Sequence, residues 1–146
     1  MTIDMSGNWW KGSEYADDVE EYLRKLEPGG YPVDRVVQAQ CACNGTRFEL
    51  HVDQEEALAK TVSASCGRES FVSDSEDYWA EASPHRVECS CRHSEYDIGL
   101  GFCIRDQEWV RWMSLGVRCT RCGVLASPLD WKSDLQLTDP AATRLA

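Results

Sequence analysis

From residue 13 to residue 26, Tyr15, Val19, Tyr22, Leu23 and Leu26 recur at spacings of four, three, one and three, which is helical periodicity with one apolar stripe. Ser13 stands at the N-cap position, Glu14, Asp17 and Asp18 fall in the first turn, and Arg24 and Lys25 fall in the last, as the helix dipole favours. Pro28-Gly29-Gly30 stops the helix. The stripe is expected to pack on a sheet, with Trp9 and Trp10 placed to fold back over it. Beyond Pro32 the period becomes two. Phe48, Leu50 and Val52 alternate with Arg47, Glu49 and His51; Tyr96, Ile98, Leu100 and Phe102 alternate with Asp97, Gly99 and Gly101. Both read as half-buried strands. Trp109 to Ser114 returns as a partner strand after a turn at Asp106-Gln107, with Val117 leading on and Val124 to Ala126 following. Asp53 to Lys60 reads as a short helix or loop, and Asp74 to Ala82 as a helical turn before Pro84. The chain past Lys132 reads as frayed, and Thr138 to Ala146 as disordered.

The 146 residues suffice for one ordinary domain or two very small ones. Fifteen basic and twenty-five acidic residues give a formal charge of −10, which opposes phosphate backbones and anionic lipid surfaces. No apolar run approaches the ~18 residues of a spanning helix, and the first thirteen residues lack a signal-peptide pattern, so a soluble, cytoplasmic protein is expected. Thiols are kept reduced there, and eight cysteines then point to metal rather than disulfides.

The spacing supports this. Cys-X-Cys pairs at Cys41/Cys43 and Cys89/Cys91, single thiols at Cys66 and Cys103, and a Cys-X-X-Cys pair at Cys119/Cys122 are the pattern of zinc knuckles. A tight turn presents two thiolates about 3.5 to 4 Å apart, two corners of a tetrahedron with Zn–S near 2.3 Å, and a distant second pair closes the other two. Cys89, Cys91, Cys119 and Cys122 form a complete quartet, with Gly123 directly after the last thiol, where positive φ is needed. Four thiolates leave no corner for water, so the role expected is structural. Iron–sulfur ligation uses the same thiolates and spacing does not separate it from zinc. A redox dithiol at Cys119-Thr120-Arg121-Cys122 lacks the strand-helix-strand setting such motifs use, and Cys103 reads as a strand thiol without function.

A shift of 48 residues superposes Cys41 on Cys89, Cys43 on Cys91, Phe48 on Tyr96 and Leu50 on Ile98; a shift of 56 superposes Cys66-Gly67 on Cys122-Gly123. Each copy ends in an acidic-aromatic run, Asp77-Tyr78-Trp79 and Asp130-Trp131. The chain thus reads as an internal repeat. Its parts are an N-terminal helix and lead-in strand (1–38), a first, degenerate zinc-ribbon-like half (39–82), a second, intact half (87–133) and a tail (134–146). The fold class expected is mainly β (α+β): two duplicated antiparallel zinc-ribbon-like halves after one amphipathic helix. The first half has a defect, because the position that matches Cys119 is Ser63. Cys41, Cys43 and Cys66 then need a fourth ligand, for which His51 is a candidate; otherwise water fills the corner or the site holds no metal. One Zn(2+) per chain is expected, two if the first half binds.

Gln40-Cys41-Ala42-Cys43-Asn44-Gly45-Thr46-Arg47-Phe48-Glu49-Leu50 resembles the opening of the glutathione-dependent formaldehyde-activating family, in which Cys-X-Cys-Gly leads into an Arg-Phe strand. The stretch from Cys89 to Gly123 resembles a zinc ribbon. The resemblance implies antiparallel β around zinc. It transfers no catalytic residue, since that family carries further cysteines after a Cys-X-X-Cys that have no counterpart here.

Two functions from different classes follow. The first is a non-catalytic zinc-stabilised module that binds another protein through acidic, Trp-rich surfaces, as adapters and immunity proteins do. Phosphate loops, metalloprotease helices and nucleophile elbows are all lacking, and His85 and His93 flank the second Cys-X-Cys as loop histidines, either of them placed to donate a hydrogen bond to a zinc thiolate. The second is an enzyme with an open zinc centre at Cys41, Cys43 and Cys66 and His51 as the base. Nucleic-acid binding ranks below both. Arg105, Arg111, Arg118 and Arg121 cluster, but Asp97, Asp106 and Glu108 lie among them.

Overall fold

The helix expected from the apolar stripe forms as α1, Tyr15–Leu26. In the computed structural model the described residues are 3–145 without Asn8 and Glu14, and the side chains of Tyr15, Ala16 and Ala141 are also left out. Glu14, the Tyr15 side chain and Ala146 therefore lie outside the described residues. Among the described residues eight strands follow in chain order: β1 (Arg35–Gln38), β2 (Phe48–Asp53), β3 (Leu58–Ser63), β4 (Glu69–Phe71), β5 (His85–Arg86), β6 (Tyr96–Arg105), β7 (Trp109–Cys119) and β8 (Leu125–Lys132). They form one mainly antiparallel sheet in the order β4-β3-β2-β6-β7-β8, with β1 against β6 and β5 against β2.

Two hairpins dominate, β2–β3 and β6–β7, and the pair Phe48↔Tyr96 joins them. The alternating apolar residues of both hairpins share one core, which includes Phe48, Leu50, Ile98, Leu100, Met113 and Leu115. The sheet folds over this core: beyond β4, the Ser73 hydroxyl donates to Met113 Sδ on β7 at 3.7 Å.

The strand β6 is not half-buried as its alternation suggests; its first eight residues are buried on both faces. The reason is its glycines. A Cβ at Gly99 would lie 2.9 Å from Val19 Cγ1, and one at Gly116 on β7 would lie 2.9 Å from Leu23 Cγ. Missing side chains let α1 lie directly on the strands, and Val19, Tyr22 and Leu23 bury a second cluster there with Val33 and Leu125. Trp10 meets Tyr22 edge-on at 5.6 Å, as a chain folding back over the sheet should, whereas Trp9 stays 59% exposed.

Two further expectations are corrected. Residues 53–60 are neither helix nor loop throughout: Asp53 accepts the Glu55 and Glu56 N–H groups, Ala57 turns at φ 55°, and β3 begins at Leu58. The described residues past Lys132, up to Leu145, are not frayed. A 3-10 helix at Pro140–Thr143 buries Ala142 and Leu145, Thr61 Oγ1 donates to the Leu145 carbonyl at 3.0 Å, and the Arg144 carbonyl accepts the Ser73 N–H at 2.7 Å. Short apolar residues in a polar segment hid this from periodicity. The helical turn before Pro84 is a 3-10 helix, Ser75–Glu81. No helix among the described residues is long and apolar enough to cross a membrane.

Candidate metal centre

Each hairpin ends in a pair of tight turns that gather thiols. In the second, Cys89, Cys91, Cys119 and Cys122 place all four sulfurs within 4.8 Å of one another. Cys89 Sγ is 3.4 Å from Cys122 Sγ, and Cys91 Sγ is 3.6 Å from Cys119 Sγ. Four sulfurs 2.3 Å from a central ion have edges of about 3.8 Å, so the set fits a tetrahedral cation with little movement. The turns make this inevitable. Arg92 adopts φ 71° and Gly123 φ 79°, while the Arg92 N–H bonds to the Cys89 carbonyl at 2.7 Å and the Gly123 N–H to the Cys119 carbonyl at 2.9 Å. Gly123 meets a second constraint: a Cβ there would lie 2.6 Å from the Gly12 carbonyl oxygen.

Backbone donors prepare the sulfurs for charge. The His93 N–H beside Cys91 draws that thiol down to about 7. Burial pushes Cys122 up to about 12 and raises Cys119 as well. The Cys91 thiolate thus forms readily, while Cys119 and Cys122 need a cation to lose their protons. A side-chain clasp spans the two turns. Thr120 Oγ1 donates to the Glu95 carbonyl at 3.0 Å, which spends its proton, so it accepts from His93 Nε2–H at 2.9 Å.

The first hairpin repeats the backbone bond for bond. The Cys41 N–H bonds to the Gly45 carbonyl at 2.9 Å, as the Cys89 N–H bonds to that of His93 at 2.9 Å. Asn44, at φ 69°, bonds back to Cys41 at 2.8 Å, and Gly67, at φ 76°, to Ser63 at 2.9 Å. Phe48 faces Ser63 in the hairpin register, as Tyr96 faces Cys119. Cys41, Cys43 and Cys66 come together, with Cys41 Sγ 3.4 Å from Cys66 Sγ. The Cys43 N–H beside Cys41, followed by the Cys66 thiol, lowers Cys41 to about 7.

The fourth corner is a hydroxyl. Ser63 Oγ lies 3.9 Å from Cys43 Sγ and faces the N–H groups of Ser65 and Cys66, at 3.3 and 3.4 Å. His51, the candidate fourth ligand, is not in this group. It sits three residues along β2 from the turns, opposite Lys60, with Nε2 3.5 Å from Glu49 Oε1. The clasp is missing too, since Gly45 and Ala64 occupy the places of His93 and Thr120. Cys43 and Cys66 are exposed, whereas the thiols of the complete set are buried or half-buried.

Spacing alone singled out seven of these cysteines. It missed the His93–Thr120 clasp, because nothing in a loop sequence fixes which side chains meet across two turns. His85 lies away from the thiols, on β5 opposite Val52, and is exposed. Cys103 is buried in β6, where loss of solvent raises its thiol. Neither family models, curated proteins nor solved structures give a significant match to this chain.

Proposed function

We propose that this chain is a zinc-binding, non-catalytic module of duplicated zinc-ribbon type that acts by binding another protein, in the manner of an adapter or an immunity protein. The observation that carries the metal reading is the set Cys89, Cys91, Cys119 and Cys122, four soft ligands at tetrahedral spacing with no corner left for water or substrate. Such a closed site stabilises a fold. The repeated bonds at shifts of 48 and 56 residues support descent of both halves from one module, the first having lost a thiolate at Ser63.

The interaction reading rests on the surface. Trp9 is 59% and Tyr78 60% exposed, and Met5 and Leu26 add exposed apolar area. Trp9 borders hollows on both sides, one beside Cys89 and one against Tyr22 and Leu26. Large aromatics in a surface with ten excess acidic groups suit a basic protein partner. The catalytic alternative needs a base at the three-thiol site, and His51 stands elsewhere.

Chelation tests the metal part. Stripping the ion with a strong chelator is expected to abolish the cooperative thermal transition, since a structural zinc contributes on the order of 10 kcal/mol. An unchanged circular dichroism spectrum and midpoint would overturn it. In-cell crosslinking tests the partner: a basic protein trapped by the wild type and lost in Trp9→Ser supports the reading, and trapping unaffected by Trp9→Ser and Tyr78→Ser contradicts it.

A further inference from the structure

The metal turns lie at one end of the β6–β7 hairpin; at the other end, about 30 Å away along ten residues of β6, is a cleft of about 580 Å³. Its walls carry Tyr31, Arg105, Trp109, Arg111, Lys132 and Asp134. The volume falls in the range of small-molecule sites. Three cations against one carboxylate is the reverse of the chain's overall balance of fifteen bases to twenty-five acids.

Several features hold these groups in place. The register of β6 with β7 slips between Cys103↔Trp112 and Ile104↔Val110, which leaves Arg111 as the extra residue of a β-bulge. Bulges turn a side chain out of the alternation, and here Val110 is fully buried while Arg111 is exposed. The Arg111 guanidinium lies over the Tyr31 ring at 5.1 Å, and that ring stacks on Trp112 at 4.8 Å and 18°. Pro28-Gly29-Gly30, which ends the helical segment, positions Tyr31: Gly29, at φ 69°, lies so close to Trp112 that a Cβ would be 2.6 Å from its ring. Trp112 Nε1 donates to Asp130 at 2.9 Å and is thereby fixed. So Arg111 is aimed by a stacked pair of rings.

The cations are nonetheless short of counter-charge. Among the described residues neither Arg111 nor Lys132 has a carboxylate within ion-pair distance, and Arg105 reaches only Asp106, at 3.9 Å. Like charges gathered around a cleft repel one another until an anion enters. Trp109 adds a half-buried indole to the same wall, a surface on which a planar ring can stack.

We propose that this cleft binds a small phosphorylated aromatic molecule of the nucleoside diphosphate class, its phosphates on Arg111, Lys132 and Arg105 and its ring against Trp109. Arginine and lysine supply charge-assisted hydrogen bonds to phosphate oxygens, and the −10 net charge disfavours a long polyanion in place of a compact one. This site is independent of the metal centre.

Calorimetric titration of the full chain with ADP, pyrophosphate and adenosine as separate probes tests it. ADP is expected to bind more tightly than either fragment, and Lys132→Ala and Arg111→Ala are each expected to weaken it by about tenfold or more. Lys132→Ala leaves the Tyr31–Trp112 stack intact, so its thermal midpoint should stay at the wild-type value. No ADP binding up to about 1 mM would overturn the proposal. So would affinity unchanged in Lys132→Ala, or pyrophosphate binding as tightly as ADP, which would remove the aromatic contact.

Discussion

Ser63 and Cys119 occupy the same place in two hairpins: each stands at a strand end opposite an aromatic residue, Phe48 or Tyr96, and each receives the next turn's N–H groups on its side-chain heteroatom. They differ by one atom, oxygen for sulfur. Ser63→Cys is therefore expected to complete a second four-sulfur set without moving the backbone. Metal content measured on Ser63→Cys should rise by one ion per chain over the wild type; no increase would mean that the first pair of turns is not a metal-site scaffold.

Arg118 ties three segments together. It donates to Asp97 at 2.9 Å and to the carbonyls of Gly12 and Ser13 at 2.8 and 3.3 Å. Burial raises the Asp97 carboxyl, with Arg118 opposing that rise. Arg118→Leu removes the hydrogen-bonded cation of a buried acid, leaving only the more distant charge of Arg47, and should cost about 3 kcal/mol in urea unfolding. Adding Asp97→Asn removes the buried charge, so the double variant is expected to be less destabilised than the sum of the single ones.

The glycines under α1 are packing positions. Gly116→Ala places a methyl 2.9 Å from Leu23 Cγ and 3.0 Å from Val19 Cγ1, closer than side-chain carbons ordinarily approach. A loss of about 1–3 kcal/mol is expected by thermal or urea unfolding. A neutral result would show that α1 rides loosely on the sheet.

Asp53 gives the fold a pH dependence. Its carboxylate accepts the Ser83, Glu56 and Glu55 N–H groups, bonds that favour the charged form and lower its pKa below the ordinary carboxylate value. Its contribution is present in full above the unfolded pKa of about 3.9 and is lost as pH falls through the folded value. Asp53→Asn should therefore be less stable than wild type at neutral pH, with the gap closing below about pH 4. A gap that stays constant into acid would remove the assigned cause.

Much of the sheet was legible because its strands obey a period of two. Phe48 to Val52 and Tyr96 to Phe102 announce themselves, and the thiol spacing announces the turns between them. Other parts lacked such a signal. Ala59, Thr61 and Ser63 face inward on β3 but are small or polar, so alternation is faint. Gly99 and Gly101 read as a solvent face when they are the floor on which Val19 and Leu23 rest. Leu145 is buried by a return of the chain across 84 residues to Thr61, a distance at which local pattern carries no information. The bulge at Arg111 also left no mark, since an extra residue in a strand shows only once its partner is known.

Cys89, Cys91, Cys119 and Cys122 stand together as a closed set of four thiols that could hold one metal ion. Elemental analysis of chain purified without added metal, beside Cys119→Ser, tests it most directly. One zinc per wild-type chain is expected, and its loss in the variant. Iron in place of zinc, or wild-type protein that folds with no metal at all, would contradict it.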